Sequence, residues 1–193
     1  MTIGGPPGRR FFALVVVAAF LNLSWSSVPF PYSEGAIFGF FVWIPLGLYW
    51  LVRLLMALAG GSEPPPARRS PRWLLAPLAF LSVWAAIHLD ASFSARFALS
   101  QAGMERYAKE VLAGGERTGP GCAWAGLYRV CEPDVLEDEG VPRGVRFELV
   151  DWPFASTRCF VWMPEGRPEP GEHAYALRHL TGPWWGCRHW DGW

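Results

Sequence analysis

Apolar positions crowd three uninterrupted stretches within the first 90 residues: Phe11 to Val28, Ala36 to Val52 and Trp73 to Leu89. Each is about as long as a helix that crosses a hydrocarbon core, so the pattern predicts three membrane spans in an N-terminal region, residues 1–90. Beyond residue 90 the pattern changes twice. Behind Ser100, a good N-cap, Met104, Tyr107, Ala108, Val111 and Leu112 follow helical spacing, which predicts one amphipathic helix ending near Gly114-Gly115. Short apolar segments bounded by Gly, Pro and acidic residues come next: Trp124 to Cys131, Val145 to Val150, Thr157 to Met163, His173 to Leu180 and Trp184 to Trp190. These read as strands, most clearly Val145-Arg146-Phe147-Glu148-Leu149, where apolar and polar positions alternate strictly. The expected fold is a membrane α-helical part with three spans plus a small α+β domain, residues 91–193. In that domain one helix packs on an antiparallel sheet of about five strands.

Charge gives the expected spans an orientation. The basic residues before position 90 are Arg9, Arg10, Arg53, Arg68, Arg69 and Arg72, all near span ends. If the spans alternate, all six fall on one side. That places the N-terminus and the 60–72 linker in the cytoplasm, and the turn around Pro31 to Gly35 and everything after Leu89 outside the cell membrane. Arg53 lies at the cytoplasmic end of the second span, where its side chain can snorkel. Gly35-x-x-x-Gly39 and Pro45 in that span suggest a close helix contact and a kink. An alternative reading takes Arg9-Arg10-Phe11-Phe12 and the following apolar run as a signal peptide with Ser24-Trp25-Ser26 as its cleavage site. Two spans would then remain, and the last domain would still face outward.

Only 18% of the 193 residues are charged, 17 basic against 17 acidic, which excludes a disordered chain and a strongly basic nucleic-acid binder. The charges are unevenly placed: 15 acidic and 11 basic residues follow position 89, so the outer domain is acidic. All four cysteines, Cys122, Cys131, Cys159 and Cys187, lie in that domain. In an oxidising compartment they read as two disulfides. If Trp124 to Val130 is one continuous strand, Cys122 and Cys131 stand too far apart to bond, and each pairs with Cys159 or Cys187. A kink at Gly126 would undo that argument.

Four short segments carry a resemblance: Arg96-Phe97-Ala98-Leu99-Ser100, Gly126-Leu127-Tyr128, Val145-Arg146-Phe147 and Gly182-Pro183-Trp184-Trp185. Over roughly positions 95–190 the chain resembles a group of uncharacterised multi-pass membrane proteins of high-GC bacteria, in which a few N-terminal spans precede a small C-terminal extracytoplasmic domain. Sixteen Arg to one Lys fits such a genome. The resemblance implies location and architecture; it implies no activity and no catalytic residues.

Candidate chemistry is sparse. Cys187-x-His189, with His173, His179 and the other cysteines, offers zinc-ligand types without metal-site spacing, and disulfides account for the same cysteines. Glu132, Asp134, Glu137, Asp138 and Glu139 crowd one segment but lack the ligand alternation and turn glycine of an EF-hand, and read as a solvated acidic turn. Ser156, His173 and Asp151 are the residue types of a hydrolytic triad, without a nucleophile elbow. No catalytic residue, metal site or cofactor is therefore expected. Seven tryptophans lie outside the spans: Trp124, Trp152, Trp162, Trp184, Trp185, Trp190 and Trp193. Core packing explains most of them, and Trp184, Trp185, Trp190 and Trp193 form a candidate binding surface near the C-terminal end. The leading expectation is a membrane-anchored extracytoplasmic interaction or sensing module whose partners are the bilayer and an envelope or membrane protein, with no nucleic acid. The alternative is a cell-envelope enzyme or metal-dependent factor using His and carboxylate residues of the outer domain.

Overall fold

The computed structural model describes residues 6–59, 70–114, 121–138, 140–150, 157–168 and 174–189. Four helices come first: α1 (Arg9–Trp25), α2 (Ser33–Ala59), α3 (Arg72–His88) and α4 (Ala91–Leu112). Six strands follow: β1 (Cys122–Ala125), β2 (Tyr128–Asp138), β3 (Val141–Leu149), β4 (Arg158–Trp162), β5 (Ala174–Thr181) and β6 (Trp184–His189). The chain forms two compact units. One comprises Met1–Ser26 and Ser33–Ser92; the other comprises Phe93–Trp193 together with Ser27–Tyr32.

In the helical unit, α2 is long and apolar enough to cross a membrane, and only 11% of its most apolar stretch is buried by protein. The helices α1 and α3 have 17 residues each and rise about 25 Å, below the roughly 30 Å of a hydrocarbon core. Of the three expected spans, α2 alone meets both length and hydropathy among the described residues, with a second if α3 and α4 count as one broken span. The first expected span also ends early. Ser26 closes α1 with its N–H on the Asn22 carbonyl, and Pro29 and Pro31 cannot extend a helix, so Val28 belongs to the sheet unit. The glycines of Gly35-x-x-x-Gly39 do mark a close contact: a Cβ at Gly35 would lie 2.8 Å from the Trp25 Cβ, and one at Gly39 would lie 2.7 Å from the Asn22 Oδ1.

In the sheet unit all strand pairs are antiparallel, in the order β1-β2-β3-β4-β6-β5. One face packs on α4. The buried stripe of that helix is Phe93, Phe97, Ser100, Met104, Tyr107, Ala108 and Val111, so the helix begins about nine residues before the expected N-cap. Ser100 is an interior residue. Its hydroxyl donates to the Arg96 carbonyl (2.7 Å) and accepts from the Leu127 N–H (3.0 Å), joining helix to hairpin. Opposite the stripe lie Tyr128, Val145, Phe147, Phe160 and Trp184, all fully buried. Their rings meet edge-on or tilted: Phe97 with Phe160 at 5.6 Å, Tyr107 with Phe147 at 5.7 Å and Tyr128 with Phe160 at 5.0 Å between centroids.

There are six strands rather than about five because the expected strand Trp124 to Cys131 folds back on itself. Gly126 takes φ +66° in the turn, a conformation open to glycine, and a Cβ there would lie 2.6 Å from the Ser100 Cα. The same turn corrects the disulfides. Cys122 and Cys131 face each other across β1 and β2 and are bonded; Cys159 and Cys187 do the same across β4 and β6. The bonds close separations of 9 and 28 residues. On the chain-entropy account, replacing Cys159 and Cys187 by Ala costs about 3–4 kcal/mol, against about 2–3 kcal/mol for Cys122 and Cys131. Thermal melts of the two double variants in detergent check that order; equal midpoints would contradict it.

The expected acidic turn is strand as far as Asp138, and Glu139 lies outside the described residues. Residues 134–138 of β2 pair with β3 on one side and continue beyond the end of β1 on the other. Asp134 pairs with Arg146 (2.9 Å) and Asp138 with Arg143 (3.0 Å). Charges and Pro133 on an open edge discourage pairing with another chain.

Candidate functional site: an arginine-clamped loop

The connection between α1 and α2, Ser-Val-Pro-Phe-Pro-Tyr at 27–32, is too apolar for a solvated turn, and the fold buries it. Ser27, Val28, Pro29 and Tyr32 are all buried within the sheet unit. Two prolines remove two backbone donors, so the segment presents mainly carbonyl acceptors that need partners. Two arginines and a tyrosine supply them, and a third arginine reaches a loop hydroxyl. Arg158 of β4 donates from Nε to the Phe30 carbonyl (2.8 Å), and Arg178 of β5 donates to the Pro29 carbonyl (3.3 Å). The Tyr128 hydroxyl donates to the Ser27 carbonyl (2.9 Å), and Arg96 of α4 donates to the Ser27 hydroxyl (2.9 Å).

Aromatic faces receive the same cations. The Arg96 guanidinium lies 4.0 Å from the Tyr128 ring centroid, that of Arg158 lies 4.8 Å from Tyr32, and that of Arg178 lies 5.8 Å from Phe93. Arg158 has no exposed surface at all. A buried guanidinium costs several kcal/mol to desolvate, and carbonyl acceptors and ring faces offset that cost. Gly186 on β6 leaves the space for Pro29, whose Cβ occupies the position a side chain would take. The clamp thus draws one residue or more from α4, β2, β4, β5 and β6, and converts a short inter-helix connection into part of a domain core.

Several residues singled out in the sequence sit elsewhere. Trp184 is fully buried, touching Phe97, Phe147 and Phe160, so it packs the core rather than lining a binding surface. Trp185 points to the opposite face, half-buried, with His179 at 4.7 Å and the Arg167 guanidinium at 5.7 Å from its ring. That face holds a second cluster around Cys159, Val161 and Cys187. Trp190 and Trp193 lie outside the described residues, as do Asp151, Trp152, Ser156 and His173. The exposed tryptophan of the sheet unit's described part is Trp124 (70% exposed), on β1, with exposed Leu127 in the adjoining turn and exposed Leu99 beside the helix residue that turn meets. Among the described residues no three His, Cys, Asp or Glu side chains converge as metal ligands. His179 hydrogen-bonds the Gly182 carbonyl (2.9 Å) in the β5–β6 turn.

One signal of the clamp is present in the sequence. On strand alternation Arg158 shares a face with Phe160 and Trp162, and a charge on the inward face of a strand must have a buried partner. Comparison with protein-family models, with curated proteins and with solved structures found no match to this chain.

Proposed function

We propose that the chain is a membrane-anchored interaction or sensing module whose disulfide-bonded sheet unit faces out of the cytoplasm. The carrying observation is the surface of the helical unit. Phe20 on α1, Phe40 and Phe41 on α2, and Leu81 and Trp84 on α3 are each more than half exposed, along with many of their apolar neighbours. A helix apolar all round needs apolar surroundings, and lipid supplies them for all three helices, including the two of 17 residues. Connectivity supports the orientation. The chain passes between the units after Ser26, after Tyr32 and after Ser92. Those points adjoin the end of α1, the start of α2 and the end of α3, which share one side if the helices alternate. The two disulfides favour an oxidising compartment there. Buried Phe11, Val15 and Ala18 favour keeping α1 in the mature chain over its removal as a signal peptide.

The interaction surface is assigned to Trp124 and the nearby turn residue Leu127, since an exposed indole with an exposed leucine resembles a binding hot spot more than a solvated edge. A photoreactive residue at position 124 of the full chain, irradiated in native membranes, then yields one discrete protein adduct. That adduct weakens severalfold when Leu127 is changed to Ser. Adducts to lipid alone, or a protein adduct indifferent to Leu127, would contradict the reading.

A further inference from the structure

Between the three apolar helices lies a cleft of about 490 Å³, lined by Phe11 and Val15 of α1, Trp43, Gly47 and Trp50 of α2, and Pro77 of α3, with further apolar neighbours. The Trp50 indole N–H is spent on the Trp73 carbonyl (3.0 Å), so the lining offers little to a polar ligand and much to an alkyl chain. One end of this bundle is also marked by charge. The Phe11 and Tyr49 rings lie tilted at 5.4 Å and Trp50 bonds Trp73, so the first turns of α1 and α3 meet α2 at Tyr49 and Trp50, past its middle. Arg10 directly precedes Phe11, Arg72 directly precedes Trp73, and Arg53 follows Tyr49 by one helical turn with its guanidinium 5.9 Å from that ring. Three arginines therefore lie toward one end of the three helices that wall the cleft. The acidic residues among the described part of the helical unit, Glu34 and Asp90, stand at the opposite ends of α2 and α3.

We propose that the cleft holds one acyl chain of an anionic phospholipid, whose phosphate is bound by Arg10, Arg53 and Arg72. Apolar lining alone would accept any lipid; the cationic end selects a negative headgroup. This inference rests on the membrane reading above. The test uses the full chain purified in mild detergent, with phosphatidylglycerol or phosphatidylcholine added and bound lipid counted by native mass spectrometry. Phosphatidylglycerol adducts should exceed phosphatidylcholine adducts on the order of tenfold. Changing Arg10, Arg53 and Arg72 together to Gln should bring the two lipids to near equality. A Cβ at Gly47 would meet nothing within 4 Å and Gly47 lines the cleft, so Gly47→Trp puts an indole into that space and should abolish adducts of both lipids. Equal binding of the two lipids by the unaltered chain, or phosphatidylglycerol adducts that survive Gly47→Trp, would overturn the site. Vesicle flotation separates this from failure of the membrane reading: if the span reading holds, the unaltered chain and both variants all float, whereas a chain that does not float refutes the spans and the lipid site together.

Discussion

Arg158→Ala lowers the stability of the sheet unit by about 3 kcal/mol or more and frees the Ser27–Tyr32 loop. The substitution removes a charged hydrogen bond, leaves the part-buried Phe30 carbonyl without its donor, and opens a cavity beneath Tyr32. A loss of this size moves the midpoint of a unit of about 100 residues on the order of 10–20 °C. Hydrogen exchange separates the loop from general weakening. The amides of Val28, Phe30 and Tyr32 gain exchange more than those of residues 134–138 of β2 and 141–144 of β3, which pair at the end of the strands away from Tyr128 and Arg158. Lysine does not restore the site, because its ammonium lacks the planar donor fork and the flat face that lies against Tyr32. Gly186→Ala gives the same loop phenotype from the opposite wall, since its methyl and Pro29 would compete for one space. An unchanged melt with an unchanged loop in both variants would mean that the clamp is decorative.

The second large effect is at Trp184. Its ring is wholly buried among Phe97, Phe147 and Phe160, at 6.0 to 6.3 Å between centroids, and Trp184→Ala costs about 3–5 kcal/mol. Its indole N–H has no acceptor among the described residues. Burial of the ring, not a hydrogen bond, therefore carries its contribution, and Trp184→Phe should cost less than half as much as Trp184→Ala. Thermal melts of the two variants followed by near-ultraviolet circular dichroism decide this. A Phe variant as damaged as the Ala variant would point to a polar role for the indole.

Local pattern carried most of the sheet unit. Alternation placed β3 to within a few residues, and an apolar run bounded by turn residues placed β4, which is buried on both faces. Two non-local features escaped it. The helix α4 runs back to Ala91 because Phe93 and Phe97 extend the stripe of Met104 and Tyr107. The small residues Ala91, Ser92 and Ser94 hide that extension, and Ser100 imitates a cap. The hairpin at Gly126 and the insertion of Ser27–Tyr32 depend on partners far along the chain, Ser100 in one case and Arg158 in the other. Trp184 and Trp185 were separable by alternation into opposite faces, but which face lies under the helix is decided only when α4 packs. The same burial that makes Trp184 unsuitable as a contact residue leaves Trp124, on the short edge strand, as the exposed indole.

The orientation of the sheet unit underlies the whole account, and Lys109 reports it directly. It is the only lysine in the chain, and its side chain is 61% exposed on α4 beside Glu105. A membrane-impermeant amine reagent applied to intact cells, followed by peptide mapping to distinguish Lys109 from the N-terminal amine, should modify Lys109 to the same extent as in opened cells. Modification of Lys109 only after the cells are opened would place the disulfide-bonded unit in the cytoplasm and contradict the account.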